Sequence, residues 1–155
     1  MKYTVRHTCG HQQEHQIYGT DTRGQRQSRA DWLATQPCPD CARADRAVTR
    51  EAINAEATDH AADAGWPDLT GTPKQVAWAN TLRRDALDAL PDQIPGRLTD
   101  DQRQRVAAIV QAAGLRQTHA AWWIDNRDHI TRALAQQATT AAERQEAIDI
   151  SKEQQ

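Results

Sequence analysis

The chain has 155 residues, 38% of them hydrophobic and 26% charged, with a mean hydropathy of −0.86. That range suits one compact domain, or a small metal-stabilised module joined to a second small domain. Nineteen Lys and Arg against 21 Asp and Glu give a formal net charge of −2, which excludes a histone-like or tail-driven binder of polyanions.

In chain order, Tyr3-Thr4-Val5 and Gln16-Ile17-Tyr18 are short β-prone stretches flanking Cys9-Gly10-His11, and they predict a hairpin whose turn carries the Cys and the His. A polar loop over 19–27 follows. Ser28 is expected to cap a short helix, with Asp31 as the third residue of a capping box. Pro37-Cys38-Pro39-Asp40-Cys41 leads into a helix over 42–62 that is Ala-rich, poor in large apolar residues, and so mostly exposed. The stretch 51–68 has five acidic residues and no Lys or Arg. With Gly65-Trp66-Pro67 near its end, it reads as a hinge. The expected organisation is a zinc-ribbon module with trailing helix over 1–62, a linker over 63–72, a helical domain over 73–138 and an exposed or frayed helical tail over 139–155.

Within the helical domain, Thr72 is an N-cap, Pro73 occupies the first helical position and Gln75 completes a capping box. Val76, Ala79, Leu82, Ala86 and Leu90 fall on one face at helical spacing, and Pro91 and Pro95 stop that helix. A second box, Thr99 with Gln102, opens a helix that points Val106, Ile109, Val110 and Ala113 inward and ends at Gly114, where Leu115 closes a Schellman motif on Val110. Thr118 is expected to cap a further helix through Trp122, Trp123 and Ile124 and on to Ile130 and Leu134. Because the chain lacks Phe, five Trp must supply most of the aromatic burial. The fold class expected is small α+β: an N-terminal treble-clef or zinc-ribbon module followed by a small all-α domain. No apolar run nears the ~20 residues of a membrane span. The first residues contain no apolar core of a secretory signal, so a cytoplasmic protein without membrane contact is expected.

The strongest chemical pattern is C-x-H at Cys9 and His11 with C-x-x-C at Cys38 and Cys41. Each pair places two ligands on one tight turn, and two such knuckles close a tetrahedron of three thiolates and one imidazole around Zn2+. Three Cys, all before residue 42, favour one zinc per chain over disulfides. His7 and His15, expected on hairpin strands facing solvent, are the alternative fourth ligands. Four protein ligands leave no open position, which makes the predicted zinc structural. A zinc deaminase would need H-x-E, whereas Glu14 lies three residues past His11 and Cys9 fills the coordination sphere. A thioredoxin-like reading of Cys38 and Cys41 lacks the surrounding βαβ pattern. No other catalytic constellation stands out, so the expectation is a protein that is not an enzyme.

Two regions are candidate binding surfaces. Arg23, Arg26 and Arg29 lie in or beside the loop between the knuckles, where Arg suits phosphate contacts. Trp122 and Trp123 point about 100° apart on a helix, so one is expected in the core and the other partly exposed beside Asp125 and Arg127, as in an interaction hot spot. The segment 106–124 also overlays in part on a helix-turn-helix, with Gly114 at the turn.

Three features coincide: the Cys9-Gly10-His11 and Pro37-Cys38-Pro39-Asp40-Cys41 pair, Gly71-Thr72-Pro73-Lys74-Gln75-Val76-Ala77-Trp78-Ala79, and Trp123-Ile124-Asp125-Asn126-Arg127. In these the chain resembles a group of zinc-ribbon proteins of bacterial phages and integrated mobile elements, whose pattern is G-[ST]-x-K-Q-x-x-W-A followed by W-I-D-N-R. The likeness covers most of the chain to about residue 128 and carries no assigned activity. It departs at Pro73, where an acidic residue is usual. It implies a mobile-element protein that binds host machinery. The function expected is therefore a non-enzymatic zinc-binding protein that engages a host or phage protein complex through Trp122, Trp123 and Arg127, as an anti-CRISPR-like inhibitor of host defence. The alternative is a nucleic-acid-binding accessory or transcriptional regulator using Arg23, Arg26, Arg29 and the helix-turn-helix-like segment.

Overall fold

A computed structural model describes residues 1–19, 21, 23–94, 96 and 98–153. The protein is a small α+β chain that is mostly helical, with a two-stranded sheet at its N-terminus. It divides into two compact units, Met1–Glu51 and Ala52–Gln155. The expected linker 63–72 lies within the second of these. No described helix is long and apolar enough to cross a membrane.

In the first unit, β1 (Lys2–Arg6) pairs antiparallel with β2 (Gln12–Gln16), with Tyr3 opposite His15 and Val5 opposite Gln13. Alternation puts Tyr3, Val5, Gln13 and His15 on the more buried face. The second strand starts four residues before the expected Gln16. A tight turn closed by His7 N–H to His11 O at 2.9 Å and Gly10 N–H to His7 O at 2.9 Å fixes the register, so pairing resumes directly after His11. Ile17 nevertheless stays buried, packing with Val5 and Ala30 in a core that Tyr3, Leu33 and Ala34 complete.

Helix α1 (Gln25–Ala34) is capped by the backbone of Gly24 at φ 68°, a conformation that glycine adopts without strain. The expected cap Ser28 sits inside the helix and donates to Gly24 O at 3.1 Å, while Asp31 accepts from Gln27 rather than closing a box. Helix α2 (Pro39–Asp63) starts on the second knuckle, because Pro39 is compatible with a first helical turn. Its residues 43–53 are all exposed, and only Ala57 and Ala61 are buried.

The second unit is a helical cluster around Ala79, Leu87, Leu90, Val110, Ala113, Trp123 and Leu134. Helix α3 (Pro73–Asp88) has the complete Thr72/Gln75 box, and α5 (Asp100–Leu115) the complete Thr99/Gln102 box. Between them, Pro91 lies in the first turn of the short α4 (Leu90–Gln93); Pro95 falls outside the described residues. The buried face of α3 runs through Ala79, Asn80, Arg83 and Leu87, leaving Val76, Leu82 and Ala86 at the edge of the core.

Gly114 does not end α5. It lies inside the helix, where a Cβ would stand 3.0 Å from Leu134 Cδ2 and 3.2 Å from Leu87 Cδ2, so its lack of a side chain permits close packing. Thr118 is not a cap either. Its carbonyl accepts from Thr70 N–H at 2.7 Å, while Ala120 N–H donates to Thr70 O at 2.9 Å, pinning the strand-like segment before α3 to the start of α6 (Ala120–Asp125). The predicted continuous fourth helix breaks after Asp125. It resumes as α7 (Ile130–Ala133), which runs into a π-helical turn (Leu134–Ala138).

The tail expected to be helical but exposed or frayed is helical, as α8 (Ala141–Lys152), with a third capping box of Thr140 and Glu143. Its Ile150 is buried, and Gln102 donates to Ile150 O at 2.8 Å, which docks α8 on α5. Long apolar periodicity does not mark this helix; a buried hydrogen bond, a single buried Ile and the ion pairs of Arg116 with Glu143 and Arg105 with Glu153 hold it.

Candidate metal centre

The turn after β1 carries Cys9 and His11, with Gly10 at φ 83° letting the chain reverse between them. The approach to α2 carries Cys38, and its first turn carries Cys41. The ligand atoms of Cys9, His11, Cys38 and Cys41 all lie within 4.8 Å of one another. His11 Nδ1 stands 3.2 Å from Cys41 Sγ and 3.6 Å from Cys38 Sγ. A tetrahedral ion at about 2.3 Å from each sulfur sets ligand atoms about 3.8 Å apart. The donor set and its spacing therefore fit a zinc-type cation, with Nδ1 as the imidazole ligand. The cysteines are free thiols.

The surrounding backbone supports this arrangement. Cys38 N–H donates to Cys9 Sγ at 3.2 Å and Cys41 N–H to Cys38 Sγ at 3.4 Å, as knuckle amides do toward thiolates. These contacts have titration consequences. Backbone N–H groups of Cys38 and His11 pull the Cys9 thiol down to about 6. The hydrogen bond with Cys38, burial and the neighbouring thiols push Cys41 up to about 12. Three thiols this close resist full ionisation unless a cation joins them.

The alternative ligands are otherwise occupied. His7, expected to face solvent, is buried at 4% exposure, because its ring docks between the hairpin and the chain before Cys38. Its Nδ1 lies 3.0 Å from Gln36 O and its Nε2 2.9 Å from His15 Nε2. Thr8 N–H to Gln36 O at 3.2 Å adds to this tie between the knuckles. Glu14 pairs with Lys2 on the exposed face of the hairpin and is not in the Cys/His group.

The other predicted site residues are scattered. Arg23 is exposed; Arg26 donates through Nε and Nη2 to Gly19 O; Arg29 lies 4.2 Å over the Trp32 ring. Trp123 has no exposed surface and donates from Nε1 to Gln117 O at 2.9 Å, so in the fold it is core and touches no partner. Trp122 is half-buried against the same core, edge-to-face with Trp123 at 5.2 Å. Arg127 donates to Ile124 O at 3.0 Å and lines a cleft of about 480 Å3 with Leu82, Asp85, Asp128 and Arg132. The helix-turn-helix overlay loses its turn residue to α5, and its second helix is only six residues long.

Sequence reasoning missed two features. Beside Trp122, which is partly exposed as expected, Trp32 and Trp78 are exposed to 48% and 41%. A buried guanidinium, Arg83 at 1% exposure, donates to Pro67 O and Asn80 Oδ1 and stacks under Trp66. Burial pulls its pKa below the ordinary arginine value, and its Nε has no partner among the described residues. Its position midway between Ala79 and Leu87, at four-residue spacing, was the available signal. Compared with known proteins, the chain matches no family model, no curated protein and no solved structure.

Proposed function

We propose that the protein is a non-enzymatic, zinc-stabilised binding protein of a phage or mobile element, which engages a host protein complex as an anti-defence, anti-CRISPR-like inhibitor. The observation that carries the reading is the four-ligand Cys9/His11/Cys38/Cys41 group. Four protein ligands saturate a tetrahedral zinc and leave no position for a substrate, so the metal holds shape. The layout, one knuckle on a hairpin and the other opening a helix, supports a ribbon of the treble-clef type. When bound, the ion supplies folding energy and joins three thiolates that repel one another without it.

The host-protein part rests on the resemblance and on charge. Unit Ala52–Gln155 has 11 Lys and Arg against 15 Asp and Glu, which disfavours polyanions and suits a basic protein surface. Within it, the cleft bearing Arg127, Asp85 and Asp128 offers both signs of charge beside the apolar Leu82. The full chain, tagged and used as bait in host extract, should retain one stoichiometric protein complex after nuclease treatment, and Arg127→Glu should weaken retention. Loss of the complex on nuclease treatment would move the reading to nucleic acid. A captured complex whose activity is unchanged by added chain would overturn the inhibitor reading.

A further inference from the structure

A cleft of about 590 Å3 opens in the first unit, between the end of β2 and the start of α1. His15, Gln16, Tyr18, Arg26, Arg29 and Leu33 line it, and no described carboxylate does. Asp21 accepts from the Arg26 backbone N–H at 3.2 Å, so that amide at the start of α1 is already partnered, and the cleft's cationic groups are side chains.

Those side chains are pre-positioned. Arg26 is held by its Nε and Nη2 bonds to Gly19 O, with Nη1 unengaged among the described residues. Arg29 lies 4.2 Å over the Trp32 ring and makes no hydrogen bond or ion pair among the described residues. Stacking fixes the guanidinium plane while leaving its N–H edge available, which lowers the entropy cost of gripping a phosphate. Tyr18 stands in the lining with 83% of its surface exposed, and Trp32 is 48% exposed. The unit Met1–Glu51 has eight Lys and Arg against six Asp and Glu, opposite in sign to the rest of the chain. A cationic cleft with an unpacked aromatic ring in its lining is the combination that binds unpaired nucleotides: guanidinium on backbone, ring on base.

We infer that this cleft binds single-stranded nucleic acid, with Arg26 and Arg29 on phosphates and Tyr18 stacked on a base. The inference deepens the nucleic-acid alternative. Its test requires no host component, so it and the host-protein reading can fail separately. Zinc-loaded full chain titrated into a fluorescently labelled oligothymidylate should raise its anisotropy. Two phosphate contacts should weaken binding about sevenfold between about 50 mM and about 200 mM salt. Arg26→Ala with Arg29→Ala should weaken it tenfold or so and flatten the salt dependence, and Tyr18→Ala about fivefold or more. Arg29→Gln alone, which leaves the Arg26 loop bond intact, should lose part of the affinity with unchanged zinc content. Absence of binding up to roughly 100 µM protein, the weak end of non-specific affinity, overturns the inference. So does an equal loss in the α2 variant Arg43→Ala/Arg46→Ala/Arg50→Ala, which would trace binding to diffuse charge. Equal affinity for duplex, or equal competition by thymidine monophosphate, overturns it as well.

Discussion

Gly114 and Arg83 both sit where the sequence pattern suggests something else. A glycine after an apolar run reads as a helix stop, but Gly114 lies inside α5, where a Cβ would meet Leu134, Leu87 and Trp123. Only the tertiary contacts reveal that, since spacing alone cannot separate a terminating glycine from a packing one. Gly114→Ala sets two effects against each other. Helix propensity gains about 1 kcal/mol, while overpacking in a filled core costs about 1–3 kcal/mol. With leucine methyls at 3.0 Å and 3.2 Å on two sides, overpacking wins. The expected result is a net loss of about 1 kcal/mol in chemical denaturation, and a rise in melting temperature would refute it. Arg83→Lys is likewise not conservative. An ammonium reaches one of Pro67 O and Asn80 Oδ1 but cannot span both while stacking under Trp66. A loss of about 2 kcal/mol is expected, against near-neutrality if the guanidinium geometry is immaterial.

Elements with local chemical signals were legible, and those fixed by tertiary contacts were not. Thr72 and Thr99 each announce a helix start through a Thr-x-x-Gln box, and both boxes form. Thr140 with Glu143 carries the same signal and also forms its box, while the faint periodicity of 141–152 does not show that this helical tail docks through Ile150. Ser28 loses its cap role because Gly24, four residues earlier, adopts the left-handed turn that starts α1. For α8 the structure yields a pH prediction. The Arg116 guanidinium and the Thr140 N–H hold Glu143 down at about 2, below the usual carboxylate value of 4.5. A depressed folded-state value means stability present above the unfolded pKa and lost as pH falls from about 4.5 toward 2. Helix α8 should therefore gain amide-exchange protection with rising pH over that window, after correction for intrinsic exchange. Glu143→Gln keeps a box residue but not the ion pair, and should flatten the dependence. An unchanged profile in the variant would show that Glu143 does not anchor the helix.

At the scale of the chain, the Cys/His group that could hold a metal was the most legible part. C-x-H and C-x-x-C are local spacings that each specify one turn, so the only long-range demand is that two turns meet. The division into units was harder to place, because composition shifts at 63–72 while Ala57 and Ala61 of the preceding helix are already buried. The two units differ in what holds them. The first has a buried cluster of Val5, Ile17 and Ala30 with three half-buried neighbours, too little apolar surface to fold so short a segment unaided. The second has a core of large residues closed by Trp123, Leu90 and Leu134, plus three capping boxes. Removal of the proposed zinc should therefore separate them. On adding chelator to the full chain, the hairpin and α1 should lose amide-exchange protection, while α3, α5 and α6 keep theirs and Trp123 remains shielded from quencher. Cys38→Ser with Cys41→Ser should reproduce that state without chelator. Loss of protection in both units at one chelator concentration would mean that the metal site and the helical core fold as a single cooperative whole, through the continuous helix α2.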